Sequence, residues 1–276
     1  MTKVWFITGS SRGLGLAIAE KVLSTGDKVV ATARHTDNLK GLVYRYGDQV
    51  MTLSLDVTDE KAVDKAINQT VIHFKKIDVL VNNAGFANMD SVEEMQMDSF
   101  KKQMDTDFYG TLFTIRASLP IMRDQKAGRI INISSVGGRA GSAGLGAYQS
   151  AKFAVGGLSE VVAQEVKPFN IHVTAVEPGG MRTDWGGSSM KVVSSHIYAD
   201  TVGKMIDMIH SNWGHLDGGV SEPVKVADAI YTLSRMDSTP THLLLGRDAE
   251  MVAKQHADTL ATADKMNQNL TRSTSN

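Results

Sequence analysis

Three residues near the middle of the chain carry side chains able to handle a proton together. They are Ser135, Tyr148 and Lys152, in the stretch SVGGRAGSAGLGAYQSAK. Tyr148 and Lys152 are four positions apart. On a helix through YQSAKFAVGGLSEVVAQEV they share one face, one turn apart. A phenol titrates near pH ~10 in isolation, and an ammonium beside it favours the phenolate and lowers that value. A tyrosine so placed can give a proton to a carbonyl oxygen or take one from an alcohol. Ser135 follows the apolar run RIINIS, at an expected strand end, where its hydroxyl can bond the same oxygen. Taken alone, a Tyr and a Lys at this spacing also describe ordinary helix surface.

The elements that must position these residues start at the N-terminus. KVWFIT (Lys3–Thr8) reads as a short buried strand, GSSRGLG as a loop, and LAIAEKVLSTGDK as an amphipathic helix with Leu14, Ile18 and Val22 on one face. Gly26 is placed to end that helix. Gly9, Gly13 and Gly15 are spaced GxxxGxG, which fits a tight turn, or a loop whose backbone approaches a pyrophosphate at a helix N-terminus. The strand before and the helix after favour nucleotide binding. The second strand, KVVATA, ends at Ala33 and is followed by Arg34. An NAD site needs an acidic residue near here for the ribose 2′-hydroxyl. Arg34, with Arg12 from the glycine loop, suits a 2′-phosphate instead, hence NADP(H).

Further strands are expected at Val50–Leu55, Ile77–Val81, Gly128–Ser134, Ile171–Val176 and His242–Leu245, alternating with helical segments. Ala62, Ala66 and Ile67 mark the inner face of the helix after the third strand. This alternation predicts an α/β fold, a doubly wound parallel sheet of Rossmann type, with its ligand at the strand C-terminal ends. The apolar fraction of 42% over 276 residues supports one such domain over residues 1–265. A polar tail, expected to fray, follows at 266–276. With no cysteine the chain has no disulfide or thiol chemistry, which fits a cytoplasmic location. A net charge of −1 gives no general attraction for nucleic acid. No apolar run reaches the ~18 residues of a membrane span. The eight histidines show no metal-ligand spacing, so no metal is expected.

TGSSRGLG (Thr8–Gly15), NNAG (Asn82–Gly85), Ser135 with YQSAK (Tyr148–Lys152), and EPGGMRT (Glu177–Thr183) resemble the short-chain dehydrogenase/reductase family, in order and over roughly residues 1–250. The resemblance implies that Gly9, Ser11, Gly13 and Leu14 line the pyrophosphate and ribose end of a nicotinamide cofactor. It sets Asp56 and Val57 at the adenine, Asn82, Ala84 and Gly85 under the nicotinamide ribose, and Pro178, Gly179 and Thr183 at the carboxamide. Ser135, Tyr148 and Lys152 match the family's catalytic positions, with Lys152 also holding the ribose. Where the family has an Asn that anchors a water for proton relay, this chain has Asp107. An ionised Asp only accepts hydrogen bonds, which implies slower turnover or a tolerated exchange.

The family also implies a substrate lid at about 184–215. Trp185, Met190, Ile197, Tyr198, Met205 and Met208 lie in that region, and its methionines suit an irregular apolar ligand or a core equally. The expected protein is a homodimer or homotetramer, built on helices at about 98–124 and 148–167. Its expected reaction is hydride transfer between NADP(H) and a small to medium apolar ketone or secondary alcohol. Two other readings are an NADP(H)-binding sensor with impaired turnover, for which Asp107 speaks, and an epimerase or dehydratase, which usually carries a larger C-terminal substrate domain.

Overall fold

The computed structural model describes residues 2–182, 190–193, 197–212 and 220–275. Nine strands run in chain order among these residues: β1 (Val4–Ile7), β2 (Lys28–Ala33), β3 (Val50–Ser54), β4 (Val79–Asn82), β5 (Ala87–Met89), β6 (Gly128–Ile133), β7 (Ile171–Pro178), β8 (Met190–Val192) and β9 (His242–Leu245). Seven of them form one sheet in the order β3-β2-β1-β4-β6-β7-β9, with every neighbouring pair parallel. The chain moves outward from β1 to β3, then returns to set β4 on the other side of β1. That reversal opens a crevice at the strand C-terminal ends.

Helices cover both faces: α1 (Gly13–Ser24), α2 (Lys40–Tyr46), α3 (Glu60–Phe74), α4 (Met97–Met104), α5 (Gly110–Gln125), α6 (Gly146–Val166), α7 (Lys204–Asn212), α8 (Pro223–Leu233), α9 (Arg247–Met266) and α10 (Gln268–Arg272). A sheet buried on both sides needs apolar residues without alternation, and β1 is buried along its whole length. On one face Trp5 and Ile7 pack with Ile18 and Val22 of α1 and with Val226 and Ile230 of α8. On the other, Phe6 and Leu80 pack with Ile67 of α3, Ile115 of α5 and Val162 of α6. The inner face of α3 is Val63, Ala66, Ile67, Thr70 and Phe74, so Ala62 lies at its margin.

Local signals explain the helix ends. Asp59 caps α3 by accepting from the Ala62 N–H at 3.0 Å. Gly26, just past α1, takes φ +86, which a glycine adopts freely. Between α4 and α5 the helix widens into a π turn over Asp105–Tyr109, a local irregularity often found at functional sites. Residues 268–272 form α10, where a frayed tail was expected. β5 and β8 make a separate parallel pair, Ala87–Met89 against Met190–Val192.

Candidate functional site

A cleft of about 590 Å³ opens at the crevice. The segment after β1 supplies Gly9, Ser11, Arg12, Gly13 and Leu14; the end of β2 supplies Ala33 and Arg34; the turn after β3 supplies Asp56, Val57 and Thr58. The loop after β4 adds Asn83, Ala84, Gly85 and Phe86, and the last turns before α5 add Lys102 and Asp107. Ser134 and Ser135 after β6, Tyr148 and Lys152 on α6, and Pro178, Gly179, Gly180 and Met181 after β7 complete the wall. Sixteen of the eighteen candidate positions named from sequence therefore line one cleft.

Two candidates differ. Thr183 lies outside the described residues. Asn82 is not in the wall. It is 4% exposed, inside a polar ladder in which its amide donates to Asn132 Oδ1 at 2.8 Å and Thr114 donates to its Oδ1 at 2.5 Å. Asn132 in turn donates to Ser159 of α6 at 2.9 Å. Asn82 ties β4 and β6 to the helices behind them, and the next residue faces the cleft. Asn83 Nδ2 donates to the backbone oxygens of Thr8 and Gly9 at 3.0 and 3.1 Å. The Thr8 hydroxyl oxygen accepts from the N–H groups of Asn83 and Ala84 at 2.9 and 3.0 Å. The NNAG run contained both asparagines; the end of β4 at Asn82 is what separates their roles.

The glycine loop has no room for a side chain at Gly9 or Gly15. A Cβ on Gly9, at φ +67, would lie 2.9 Å from the Ala84 Cα, and one on Gly15 would lie 2.3 Å from the Gly9 oxygen. This leaves the N-terminus of α1 bare toward the cleft, the arrangement that receives a pyrophosphate. Arg12 and Arg34 are exposed at the same end. Asp56 lies beside them. Burial raises its carboxyl, but bonds from the Thr58 N–H and hydroxyl and the Arg34 charge hold it below its ordinary value. The bare helix N-terminus and the two guanidinium groups fit the phosphates of a dinucleotide.

At the other end, β6, α6 and the π turn bring the proton-handling groups together. Ser134 Oγ donates to the Lys152 carbonyl at 3.1 Å, fastening α6 to the end of β6. Ser135 Oγ accepts from the Gly137 N–H at 3.0 Å, which fixes its rotamer. Lys152 Nζ donates to the Ile133 oxygen at 2.9 Å and lies 5.6 Å from the Tyr148 ring centre. Asp107, 1% exposed, accepts from the Phe86 N–H through Oδ1 at 3.2 Å. Its Oδ2 is 3.4 Å from Lys152 Nζ, an ion-pair distance without hydrogen-bond alignment.

The charge balance departs from the sequence expectation. Burial pushes the Tyr148 phenol above the ordinary tyrosine value; Lys152 and a hydrogen bond with Ser135 pull it down without overcoming burial, and Asp107 adds to the rise. Lys152 thus acts in the expected direction, but the net shift is upward. Burial likewise raises the Asp107 carboxyl, against the opposing pull of Lys152 and the Phe86 N–H.

The segment beyond the cleft is divided in character. Met89, Leu145, Tyr148, Met190, Val202 and Ile206 form a small apolar cluster, with Tyr198 and Met205 at its edge. Ile197 and Met208 are exposed, and Trp185 lies outside the described residues. No helix among the described residues is long and apolar enough to cross a membrane.

Comparison with known proteins gives a consistent result. Residues 3–192 match the family described as short chain dehydrogenase. An oxidoreductase of Botryotinia fuckeliana, BOA17, is 47% identical over 267 residues, covering 96% of each chain. A crystal structure of a short-chain dehydrogenase from Streptomyces avermitilis superimposes with a TM-score of 0.93 at 36% identity, covering 100% of both chains. The structure described as ElxO with NADP bound superimposes with a TM-score of 0.72 at 30% identity, over 88% of this chain and 96% of its own.

Proposed function

The chain belongs to the short-chain dehydrogenase family, and on that premise we propose that it is an NADP(H)-dependent carbonyl reductase or alcohol dehydrogenase. The convergence of Ser135, Tyr148 and Lys152 on the wall of a glycine-lined cleft is the observation that carries this reading. Gly9, Ser11, Gly13 and Leu14 would hold the pyrophosphate end, Arg12 and Arg34 the 2′-phosphate, and Asp56 and Val57 the adenine. Ala84, Gly85 and Lys152 would hold the nicotinamide ribose, and Pro178 and Gly179 the carboxamide. The NADP in the ElxO structure supports the same cofactor here. When bound, the cofactor gives or takes the hydride.

The residues of this chain handle the proton. Ser135 orients the substrate oxygen. Tyr148, whose phenol burial shifts further toward the protonated form, would donate to that oxygen during reduction and recover the proton through the Lys152 side of the site. Lys152 stabilises the transient phenolate, and Asp107 opposes it. The apolar cluster beside Tyr148, with Met89, Leu145 and Met190, supports a small to medium apolar ketone or secondary alcohol as substrate. Within the lid expected at about 184–215, the described residues 190–193 and 197–212 would cover the substrate. Exposed Tyr109 in the π turn before α5, with exposed Phe153 and Val161 on α6, supports a homo-oligomer.

One observation favours a second reading. A buried carboxylate beside Lys152 suits a protein that binds NADP(H) and turns over poorly. A panel of ketones and alcohols assayed with NADPH and NADH in parallel separates the two. Steady NADPH oxidation with apolar ketones supports the reductase, and tight NADPH binding without turnover on any of them supports the sensor.

A further inference from the structure

We infer that Asp248 is a positioning residue: through the Gly180 N–H it fixes the loop that receives the nicotinamide end of the cofactor. This rests on the cofactor reading above and goes beyond it, because Asp248 lies outside every motif that carries the resemblance and does not line the cleft.

The loop Pro178–Arg182 leaves β7 and forms the cleft wall with Pro178, Gly179, Gly180 and Met181. Its backbone is held at three points. The Gly179 N–H donates to the Leu245 oxygen at 3.0 Å, extending the β7–β9 pairing. The Ser221 N–H donates to the Gly180 oxygen at 2.8 Å, and the Arg182 N–H to the Ser221 oxygen at 3.0 Å. The third tie comes from a side chain: the Gly180 N–H donates to Asp248 Oδ2 at 2.7 Å. A peptide N–H bonded to a carboxylate is a charge-assisted contact, stronger than each of the three backbone bonds.

The packing shows that the carboxylate has a built seat. A Cβ on Gly179 would lie 2.1 Å from Asp248 Oδ2, and one on Gly246, at φ +113, would lie 2.5 Å from Oδ1. Both glycines are therefore needed for the carboxylate to reach the loop. Asp248 stands in the first turn of α9, where negative charge is favoured by the helix dipole. Its Oδ1 is buried without a hydrogen-bond partner among the described residues. A carboxylate whose only role was to cap α9 would have no reason to sit over Gly179 with one oxygen unsatisfied. The arrangement makes sense if holding the loop is its task.

The test compares ligands with and without a nicotinamide. NADPH and NADH binding is followed by the reduced-nicotinamide fluorescence, and 2′,5′-ADP binding by calorimetry, for the unmodified protein, Asp248→Ala and Asp248→Asn, with Tm recorded for each. Asp248→Ala should raise the NADPH Kd roughly tenfold, the loss expected for a hydrogen bond to a charged acceptor. It should leave the 2′,5′-ADP Kd within about twofold, because that ligand does not reach the loop. Asp248→Asn keeps an acceptor oxygen at the same reach and should recover part of the loss. NADPH and 2′,5′-ADP weakening in parallel, or neither weakening, would overturn the inference. So would a variant that loses Tm while binding NADPH normally. Should Asp248→Ala fail to fold, Asp248→Asn and Gly180→Pro, which removes the donor, decide the matter by the same comparison. If the unmodified protein binds neither dinucleotide, the cofactor reading falls and this inference with it.

Discussion

Replacing Asp107 by Asn should raise kcat for alcohol oxidation, and the spacing of the charges gives the order of magnitude of the effect. Asp107 Oδ2 lies 3.4 Å from Lys152 Nζ, and Lys152 Nζ lies 5.6 Å from the centre of the Tyr148 ring. At an effective dielectric of ~20, unit charges at these two distances interact by about 5 and about 3 kcal/mol. The carboxylate therefore competes for the ammonium with the phenolate that Lys152 should stabilise. If it cancels about half of the help given to the phenolate, its removal returns about 1.4 kcal/mol, or roughly tenfold in phenolate population. Asn keeps the oxygen that accepts from the Phe86 N–H, so the loop after β4 stays in place. The assay is kcat against pH with a secondary alcohol for which hydride transfer, not cofactor release, limits turnover. The basic limb should move to lower pH by about one unit, with kcat rising up to about tenfold below it and the NADPH Kd nearly unchanged. Burial raises the Asp107 carboxyl, so protonation mimics Asn at low pH; the benefit should grow as Asp107 ionises and disappear above the limb, where the phenolate is fully formed in both proteins. An Asn variant with equal or lower kcat across the range would refute the competition between Asp107 and Tyr148 for Lys152.

The same upward shift has a consequence for stability. Folding takes up a proton at Asp107 once pH exceeds the unfolded value of about 3.9, so its contribution falls as pH rises from there through the raised folded value; urea denaturation should show Asp107→Asn gaining on the unmodified protein as pH rises above about 4. Ala33→Asp with Arg34→Ala places a carboxylate where the 2′-phosphate is expected and removes one guanidinium; the preference for NADPH over NADH should be at least about tenfold in the unmodified protein and fall or invert in the variant, as read from the two Kd values. Gly9→Ala puts a Cβ 2.9 Å from the Ala84 Cα at φ +67; it should cost about 1–2 kcal/mol in denaturation and abolish measurable NADPH binding by fluorescence.

Much of this fold is legible in the sequence because a parallel sheet buried on both faces writes its strands as short apolar runs. VWFI, KVVATA and RIINI mark β1, β2 and β6 within one or two residues. The glycine loop is equally plain, since only glycine fits beside Ala84 and under the turn into α1. Other features depend on distant partners and leave no local sign. β5 and β8 are three residues each, too short for a period, and they exist through pairing across a long separation. The π turn that sets Asp107 against Lys152 carries no recognisable composition. Asn82 and Asn83 differ only in where β4 stops, and sequence periodicity does not resolve a boundary to one residue. Asp248 reads as a good residue for a helix first turn, and its reach to Gly180 appears only when β7 and β9 lie side by side. Tyr148 shows the energetic side of the same limit: its spacing from Lys152 is visible, whereas the burial that outweighs the ammonium is not.

The account stands on Tyr148 as the group that exchanges the proton, and Tyr148→Phe tests it most directly. The ring stays in its apolar seat beside Leu145 and Met190, and only the hydroxyl is lost. A single-turnover measurement of NADPH oxidation by a ketone substrate isolates the chemical step, with NADPH Kd and Tm measured alongside. The account predicts a rate lower by roughly 10²-fold or more with Kd and Tm nearly unchanged. A Tyr148→Phe variant that retains most of the single-turnover rate would contradict it and leave the tyrosine a packing residue.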